Sequence, residues 1–355
     1  MNILSPKSWF KGTPQKTSEK AAHSSAAFPQ TRMRRNRGTE GIRRLVRENV
    51  LETQHLILPL FVEEELAERM PIKSMPGVYR ETEDSIVTVA LEAQAAGLGG
   101  IMLFGVSHHK DATGSDSMRA GGLLDRMIRK VKAAAPDLLV IADACFCEYT
   151  DHGHCGPLTA HGHVDNDATI ENIGRQAVIA ARAGADIIAP SGMMDGQVAA
   201  IRDALDANGF IDTPIMAYAA KYASSFYGPF RDAAGCSLNK GDRKTYQMDP
   251  ANGDEAMRET AMDIAEGADM VMVKPGLPYL DILYRVKQTF GMPTFAYNIS
   301  GEFAMLKFAC EAGALDYDRA VMEMMMCFRR AGADGILTYT ALDVAKQLNA
   351  RRNAA

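Results

Sequence analysis

From about residue 55 the chain alternates between short apolar runs and longer stretches in which apolar residues recur every three or four positions. The short runs lie near 56–62 (LILPLFV), 99–106, 138–145 (LLVIADAC), 185–191 (ADIIAPS), 214–218 (PIMAY), 268–275 (ADMVMVKP), 293–300 (PTFAYNIS) and 333–340 (ADGILTYT). Runs apolar on both faces read as buried parallel strands, and the longer stretches, such as 167–183, 252–266 and 341–350, read as helices. Eight strands, each followed by a helix, predict an α/β fold of the TIM (β/α)8 barrel type. A doubly wound open sheet is the rival architecture, but no G-x-G-x-x-G follows the first strand to favour it.

A weak repeat supports this count. Ala183-Gly184-Ala185-Asp186, Glu266-Gly267-Ala268-Asp269 and Ala331-Gly332-Ala333-Asp334 each separate a helical stretch from a strand. Glycine at that position suits a left-handed residue that ends a helix.

The N-terminus follows neither period. Residues 1–38 carry eight Lys/Arg against one acid, Glu19, and are rich in Ser and Thr. The pattern predicts an N-terminal arm, extended or flexible and suited to clasping another subunit, over 1–38, with the catalytic barrel over 39–355. An organelle transit peptide has a similar composition, but no apolar segment of the length a secretory signal needs follows the charges, and the cytoplasm is the expected location. A net charge of −5 argues against a general nucleic-acid binder. Membrane spanning is not expected, since no run of about 18 or more apolar residues exists. Six cysteines in 355 residues are too sparse for a disulfide scaffold, yet three of them fall between 145 and 155.

In a barrel of this kind chemistry gathers at the C-terminal ends of the strands. Reading those ends in order yields Asp143, Cys145 and Cys147, then Ser191, Lys221, Lys274, Ser300 and Tyr339. Lys274 closes the apolar run MVMVK, where an amine must be paired, desolvated or reactive; desolvation leaves part of it neutral and nucleophilic toward a carbonyl. Lys221, in YAAKYASS, has similar neighbours. The pattern C-x-C-x7-C of Cys145, Cys147 and Cys155 offers three thiolates to a soft or borderline metal and leaves a fourth position open, as catalytic zinc requires. His154 is a candidate fourth ligand or outer donor. The long segment at about 222–247 has the character of a lid, and Arg231 and Arg243 within it suit capture of a carboxylate. Ser300 and Tyr339 can hold a second carboxylate through their hydroxyls.

Several of these segments, YAAKYASSFYGPFRDAAG, MVKPGLPYLDI, ISGEFAML and CFCEYTDHGHCG, with PIKSMPGVYR and FPQTRMRRNR, together resemble the porphobilinogen synthase family over roughly residues 28–350. The resemblance implies a lyase that joins two molecules of 5-aminolaevulinate, with Lys274 and Lys221 each forming a Schiff base. It implies catalytic zinc on Cys145, Cys147 and Cys155, with Asp143 close by. It assigns Arg231, Arg243 and Gln247 to one substrate carboxylate and Ser300 and Tyr339 to the other, with Tyr227, Phe230 and Tyr297 lining the site and Ser191 beside it. Glu259 matches an allosteric magnesium position, and the arm matches one that assembles octamers.

Two departures stand out. The family pattern S-D-M-M-D-G-R reads Ser191-Gly192-Met193-Met194-Asp195-Gly196-Gln197 here, losing an acid and a base together, and Asp151 stands where serine is usual. The alternative function is a class I aldolase-like Schiff-base lyase on the same barrel with Lys274 alone catalytic, which leaves the three cysteines unexplained.

Overall fold

The computed structural model describes residues 27–236, 238 and 241–353. Two compact units are separated after Glu48. The described part of the first holds a 3-10 turn, Met33–Arg37, and helix α1, Glu40–Leu45, neither with a buried residue. The arm's residues before 27 lie outside the described residues.

The second unit is the barrel. Its strands are β1 (Leu56–Glu63), β2 (Met70–Pro71), β3 (Tyr79–Glu81), β4 (Gly100–Val106), β5 (Val140–Ala144), β6 (Ile187–Pro190), β7 (Met216–Lys221), β8 (Met270–Lys274), β9 (Thr294–Asn298) and β10 (Gly335–Thr338). Eight of them run in the order β6-β5-β4-β1-β10-β9-β8-β7, with every pairing in that path parallel. The ends of that path meet at one parallel bridge, Ile188 to Ile215, with Ile188 N donating to Pro214 O at 3.1 Å. The eight predicted strands are therefore all present, in a nearly closed barrel. The short β2 and β3 were not expected from the apolar pattern: β2 is exposed and β3 only partly buried, and they pair with each other, while β3 also runs beside β1.

The helices are α2 (Ser85–Ala95), α3 (Leu123–Ala134), α4 (Asn166–Ala183), α5 (Gln197–Ala207), α6 (Gly228–Ala233), α7 (Glu255–Glu266), α8 (Leu280–Phe290), α9 (Ser300–Glu311), α10 (Tyr317–Ala331) and α11 (Ala341–Asn353). The three repeat glycines, Gly184, Gly267 and Gly332, cap α4, α7 and α10 with φ of 106, 110 and 105°. No L side chain adopts that backbone cheaply, which explains why the same tetrapeptide recurs.

Two layers of core follow from the barrel. One lies between strands and helices and is mostly aliphatic, including Leu58, Leu60, Ile101, Val140, Val271 and Ile336. The other fills the barrel and its mouth with Phe61, Phe104, Tyr218, Tyr297, Phe230 and the cysteines 145, 147, 155 and 236. Alternate residues of each strand feed the two layers. Inner positions turn aromatic, sulfur-bearing and polar toward the strand ends, which is where the site lies. No helix among the described residues is long and apolar enough to cross a membrane.

Candidate active site

Lys221 and Lys274 are the last residues of adjacent strands and are register partners, after an irregularity in β7 between Ala217 and Ala220. The expectation had Lys221 just beyond its strand; the strand runs longer and includes it. Ladder bonds fix this edge, since Tyr222 N donates to Lys274 O at 2.9 Å and Met248 N to Lys221 O at 3.1 Å. Both side chains are buried, 5% and 3% exposed. The Lys221 amine donates to Ser191 O at 2.5 Å. Lys274 Nζ sits among rings, 4.2 Å from the centroid of Tyr297, 4.8 Å from Phe230, 5.1 Å from Tyr218 and 5.6 Å from Tyr227. Burial, followed by the charge of Lys221, lowers the Lys274 amine to about 7 against the partial counter-pull of Asp143. A large fraction of it is thus neutral near physiological pH and able to attack a carbonyl.

Asp143, in β5, accepts from Ser191 Oγ at 3.1 Å through Oδ2, and its Oδ1 is buried without a partner. Burial, then the neighbouring Glu148, raises its carboxyl to about 7, while the two lysines pull it down. A carboxyl and an amine that both exchange protons near neutrality share this end of the barrel.

Cys145, Cys147 and Cys155 are all buried, and their sulfurs lie within 4.8 Å of one another, Cys145 to Cys147 at 3.4 Å. Hydrogen bonds from Cys145 and Cys147 pull the Cys155 thiol down despite its burial. Cys147 is pushed up by Cys145, Cys155 and Cys236 and then by burial. Three crowded soft donors, one ready to ionise, fit a zinc ion with an open position. His154 is not among the residues whose ligating atoms converge there; its Nδ1 faces Tyr246 OH at 3.2 Å.

The predicted lid is not structureless, since a 3-10 turn at Ser225–Tyr227 runs into α6. Ser300 opens α9 instead of ending a strand, and its Oγ accepts from Phe230 N at 2.9 Å. Tyr339 OH meets Tyr297 OH at 3.2 Å. On the other side of the lid, Arg231, Arg243 and Gln247 line one cavity of about 590 Å³. Arg243 Nη2 donates to Gly153 O at 2.9 Å, but Arg243 Nε, Arg231 Nε and Gln247 Nε2 are buried donors without an acceptor. Converging unpaired donors are costly unless an anion completes them. Neither lysine lines this cavity. The lid's own Tyr227 and Phe230 stand beside Lys274 instead.

The departures have local explanations. Gln197 is buried, its Oε1 accepts from Met194 N at 3.3 Å, and a Cβ on Gly192 would lie 3.4 Å from that oxygen. The two altered positions are thus neighbours, and an amide braces the loop where a charge pair is expected. Asp151 is exposed and shares a small cavity with Arg80, Lys110 and Arg231.

Sequence reasoning missed four contributors. Glu148 is buried with Oε2 unpartnered, and its ligating atom lies within 4.8 Å of those of Asp143 and Cys145. Cys236 of the lid hydrogen-bonds Cys147 through its thiol. The Tyr218 ring lies beside both lysines. Glu302 accepts from Gly276 N at 3.1 Å, Leu277 N at 3.2 Å and Asn298 Nδ2 at 2.7 Å, holding the turn after Lys274. Glu148 sits next to Cys147 in sequence, which was a usable signal; the others depend on folding.

Paired buried lysines at the mouth of an α/β barrel, beside a trio of thiols that could hold a metal ion and a set of unpaired buried donors, have the chemistry of a barrel lyase. Residues 30–347 match the family model described as delta-aminolevulinic acid dehydratase. The enzyme of that name from Escherichia coli K12 is 53% identical over 316 residues, covering 89% of this chain and 97% of that one. Its Streptomyces coelicolor counterpart is 53% identical over 325 residues, covering 91% and 98%. The crystal structure of the Toxoplasma gondii ME49 enzyme with its product porphobilinogen superposes with a TM-score of 0.88 at 46% identity, covering 90% of this chain and 91% of that one. The chain belongs to the delta-aminolevulinic acid dehydratase (porphobilinogen synthase) family, and its activity is that family's lyase activity. The aldolase-like alternative is set aside by the same match.

Proposed function

We propose that Lys274 and Lys221 each capture the ketone of one 5-aminolaevulinate molecule, and that the barrel joins the two into porphobilinogen. The observation that carries this reading is the pair of buried lysines in register on adjacent strand ends. A neutral amine adds to the ketone and the adduct expels water, leaving an imine that withdraws electrons from the neighbouring carbon. Two such captures release the two waters of the overall reaction. Both amines are freed again when the new C–C and C–N bonds form, so no water is consumed. Asp143, poised near neutrality, takes and returns protons at this end. The rings of Tyr297, Tyr227 and Phe230 keep Lys274 desolvated and exclude bulk water.

Arg231, Arg243 and Gln247 hold one substrate carboxylate, which would satisfy their unpaired donors. Ser300 and Tyr339 hold the other, and Ser191 orients Asp143 and Lys221. Cys145, Cys147 and Cys155 would hold a zinc ion, which would supply Lewis acidity beside the reacting groups. An assay for a pyrrole that colours with Ehrlich's reagent tests the whole reading; purified protein that leaves aminolaevulinate unreacted, with zinc supplied, overturns it.

Glu259, half-buried on α7, lines a second cavity of about 660 Å³ with Asp195, Asp249 and Glu255. Burial, then Asp195 and Glu255, push its carboxyl upward, a repulsion that magnesium would relieve as an allosteric ion. The assembly is a homo-octamer joined through the N-terminal arm, taken as residues 1–38 with the barrel over 39–355. Support comes from the arm and its immediate continuation, where Phe28, Met33, Ile42, Leu45 and Val46 are all exposed in the single chain. The setting is the cytoplasm: all six cysteines are free, as a reducing compartment keeps them.

A further inference from the structure

The segment PIKSMPGVYR, residues 71–80, takes no part in the chemistry described above. It forms a tight loop between β2 and β3, in which Ile72 N donates to Val78 O at 3.0 Å and Met75 N to Ile72 O at 2.9 Å. The loop returns into β3, whose register on β1 pairs Arg80 with Phe61. That register sets the Arg80 guanidinium, 16% exposed, against the far end of the lid helix α6.

All three guanidinium nitrogens are engaged there. Nε donates to Ala233 O at 2.9 Å and Nη2 to Asp232 O at 2.5 Å, both at the C-terminal end of α6. Nη1 pairs with Glu63 Oε2 at 2.8 Å, at the tip of β1. Carbonyls at a helix end have no partners within the helix, and a planar fork of donors can take two of them and a carboxylate at once. Two weaker ties flank it: Ser74 Oγ donates to Asp232 Oδ2 at 2.6 Å and Lys110 Nζ to Gly235 O at 2.8 Å.

The opposite end of the same segment is held by α9. Phe230 N donates to Ser300 Oγ, and Gly301 packs so close to the backbone of Phe226 that a Cβ there would lie 2.4 Å from Phe226 O. Phe230, anchored by its own backbone, places its ring over Lys274, and Arg231, whose Nε has no acceptor, follows it toward the Arg80 end.

We propose that Arg80, backed by Glu63, is the latch of the lid: a positioning residue that holds α6 closed so that Arg231 and Phe230 meet the bound substrate. Arg80 does not line the cavity of Arg231, Arg243 and Gln247; it borders the small cavity on the other flank of Arg231, and its hydrogen bonds to α6 are its route to the site. Lid closure is an equilibrium, and a ligand that binds the closed form pays for any loss of that population in apparent affinity. The inference rests on the reading of Arg231 as a carboxylate holder.

The test compares Arg80→Met, which keeps length and removes every donor, with Arg80→Lys, which keeps one, and Glu63→Gln, which weakens the backing. For Arg80→Met the expected result is a KM for aminolaevulinate raised about tenfold or more, with kcat changed by less than about threefold. Trypsin cleavage within residues 222–247 of the zinc-loaded enzyme should accelerate in parallel, and both Arg80→Lys and Glu63→Gln should fall between it and the parent. If Arg80→Met fails to fold, those two variants carry the same comparison. A merely structural arginine would lower kcat through the active fraction while leaving KM unmoved. Unchanged KM together with unchanged lid cleavage overturns the latch. Arg231→Met, run alongside, separates the two readings: a parental KM in Arg231→Met removes the carboxylate assignment, whereas the cleavage rates of the Arg80 variants still judge the latch.

Discussion

The two halves of the site are built in opposite ways. On the strand side, Lys221 and Lys274 are fixed by ladder register and their immediate backbone is hydrogen-bonded. On the lid side, Arg231 comes from the short helix α6 and Arg243 and Gln247 from the loop beyond it, and all three keep buried donors unpaired. The strand half is complete without substrate, with its nucleophile already desolvated, whereas the lid half is incomplete without an anion. Rigid elements thus fix the orientation of the reacting groups in advance, while the lid's donors are completed only by a bound anion.

The sharpest way to break this comparison is at the strand half. Lys274→Ala should lower turnover on the order of 10³-fold or more, as loss of a covalent nucleophile does. Lys274→Arg should do no better, because a guanidinium stays protonated. Borohydride with aminolaevulinate should label Lys274 in the parent, and label found only elsewhere would remove it from the mechanism. Trapping also carries a pH signature. Burial lowers the Lys274 amine to about 7, so the reactive neutral form is lost as pH falls through that value and saturates above it. A trapping rate that stayed flat down to pH about 5 would show that the amine does not titrate where its burial places it.

The cysteine loop lies between the halves, touching the lid through Cys236 and the strand ends through Asp143. Removing two ligands in Cys145→Ala, Cys147→Ala should abolish zinc binding and cut turnover by at least about 10²-fold, with circular dichroism unchanged because the aliphatic layer between strands and helices contains none of the three cysteines. Full activity in that variant would mark the cluster as idle.

The smallest effect is expected farthest from the chemistry. With zinc saturating, millimolar magnesium should raise activity about two- to fivefold and shift sedimentation toward larger assemblies, by mass action on the form that binds it. Glu259→Ala should lose that response while keeping zinc and imine formation. Parent enzyme indifferent to magnesium in both readouts would reduce Glu259 to an acid on the wall of its cavity.

Much of this was legible from the chain alone. Apolar runs located all eight barrel strands, the A-G-A-D and E-G-A-D turns marked three helix ends, and the strand-end rule pointed to Lys274, Asp143 and the cysteines. Periodicity reports burial, and strands buried on both faces leave the strongest trace. The exposed β2 and partly buried β3 leave almost none, so the hairpin that carries Arg80 to the lid could not be anticipated.

The sequence by itself determined the barrel, the pair of lysines at strand ends and the three-thiol motif, because each depends on residue type and local spacing. Only the tertiary structure decided that Lys221 and Lys274 are register partners, that Cys236 reaches Cys147, that Gln197 fills the place beside Gly192, and that Arg80 grips α6. Apart from the local Gln197 contact, which depends on how its loop turns, they join residues far apart in the chain, and closing the barrel is what brings them together. The shift that makes Lys274 reactive is of the same kind, since it comes from rings and a second amine contributed by other strands and by the lid.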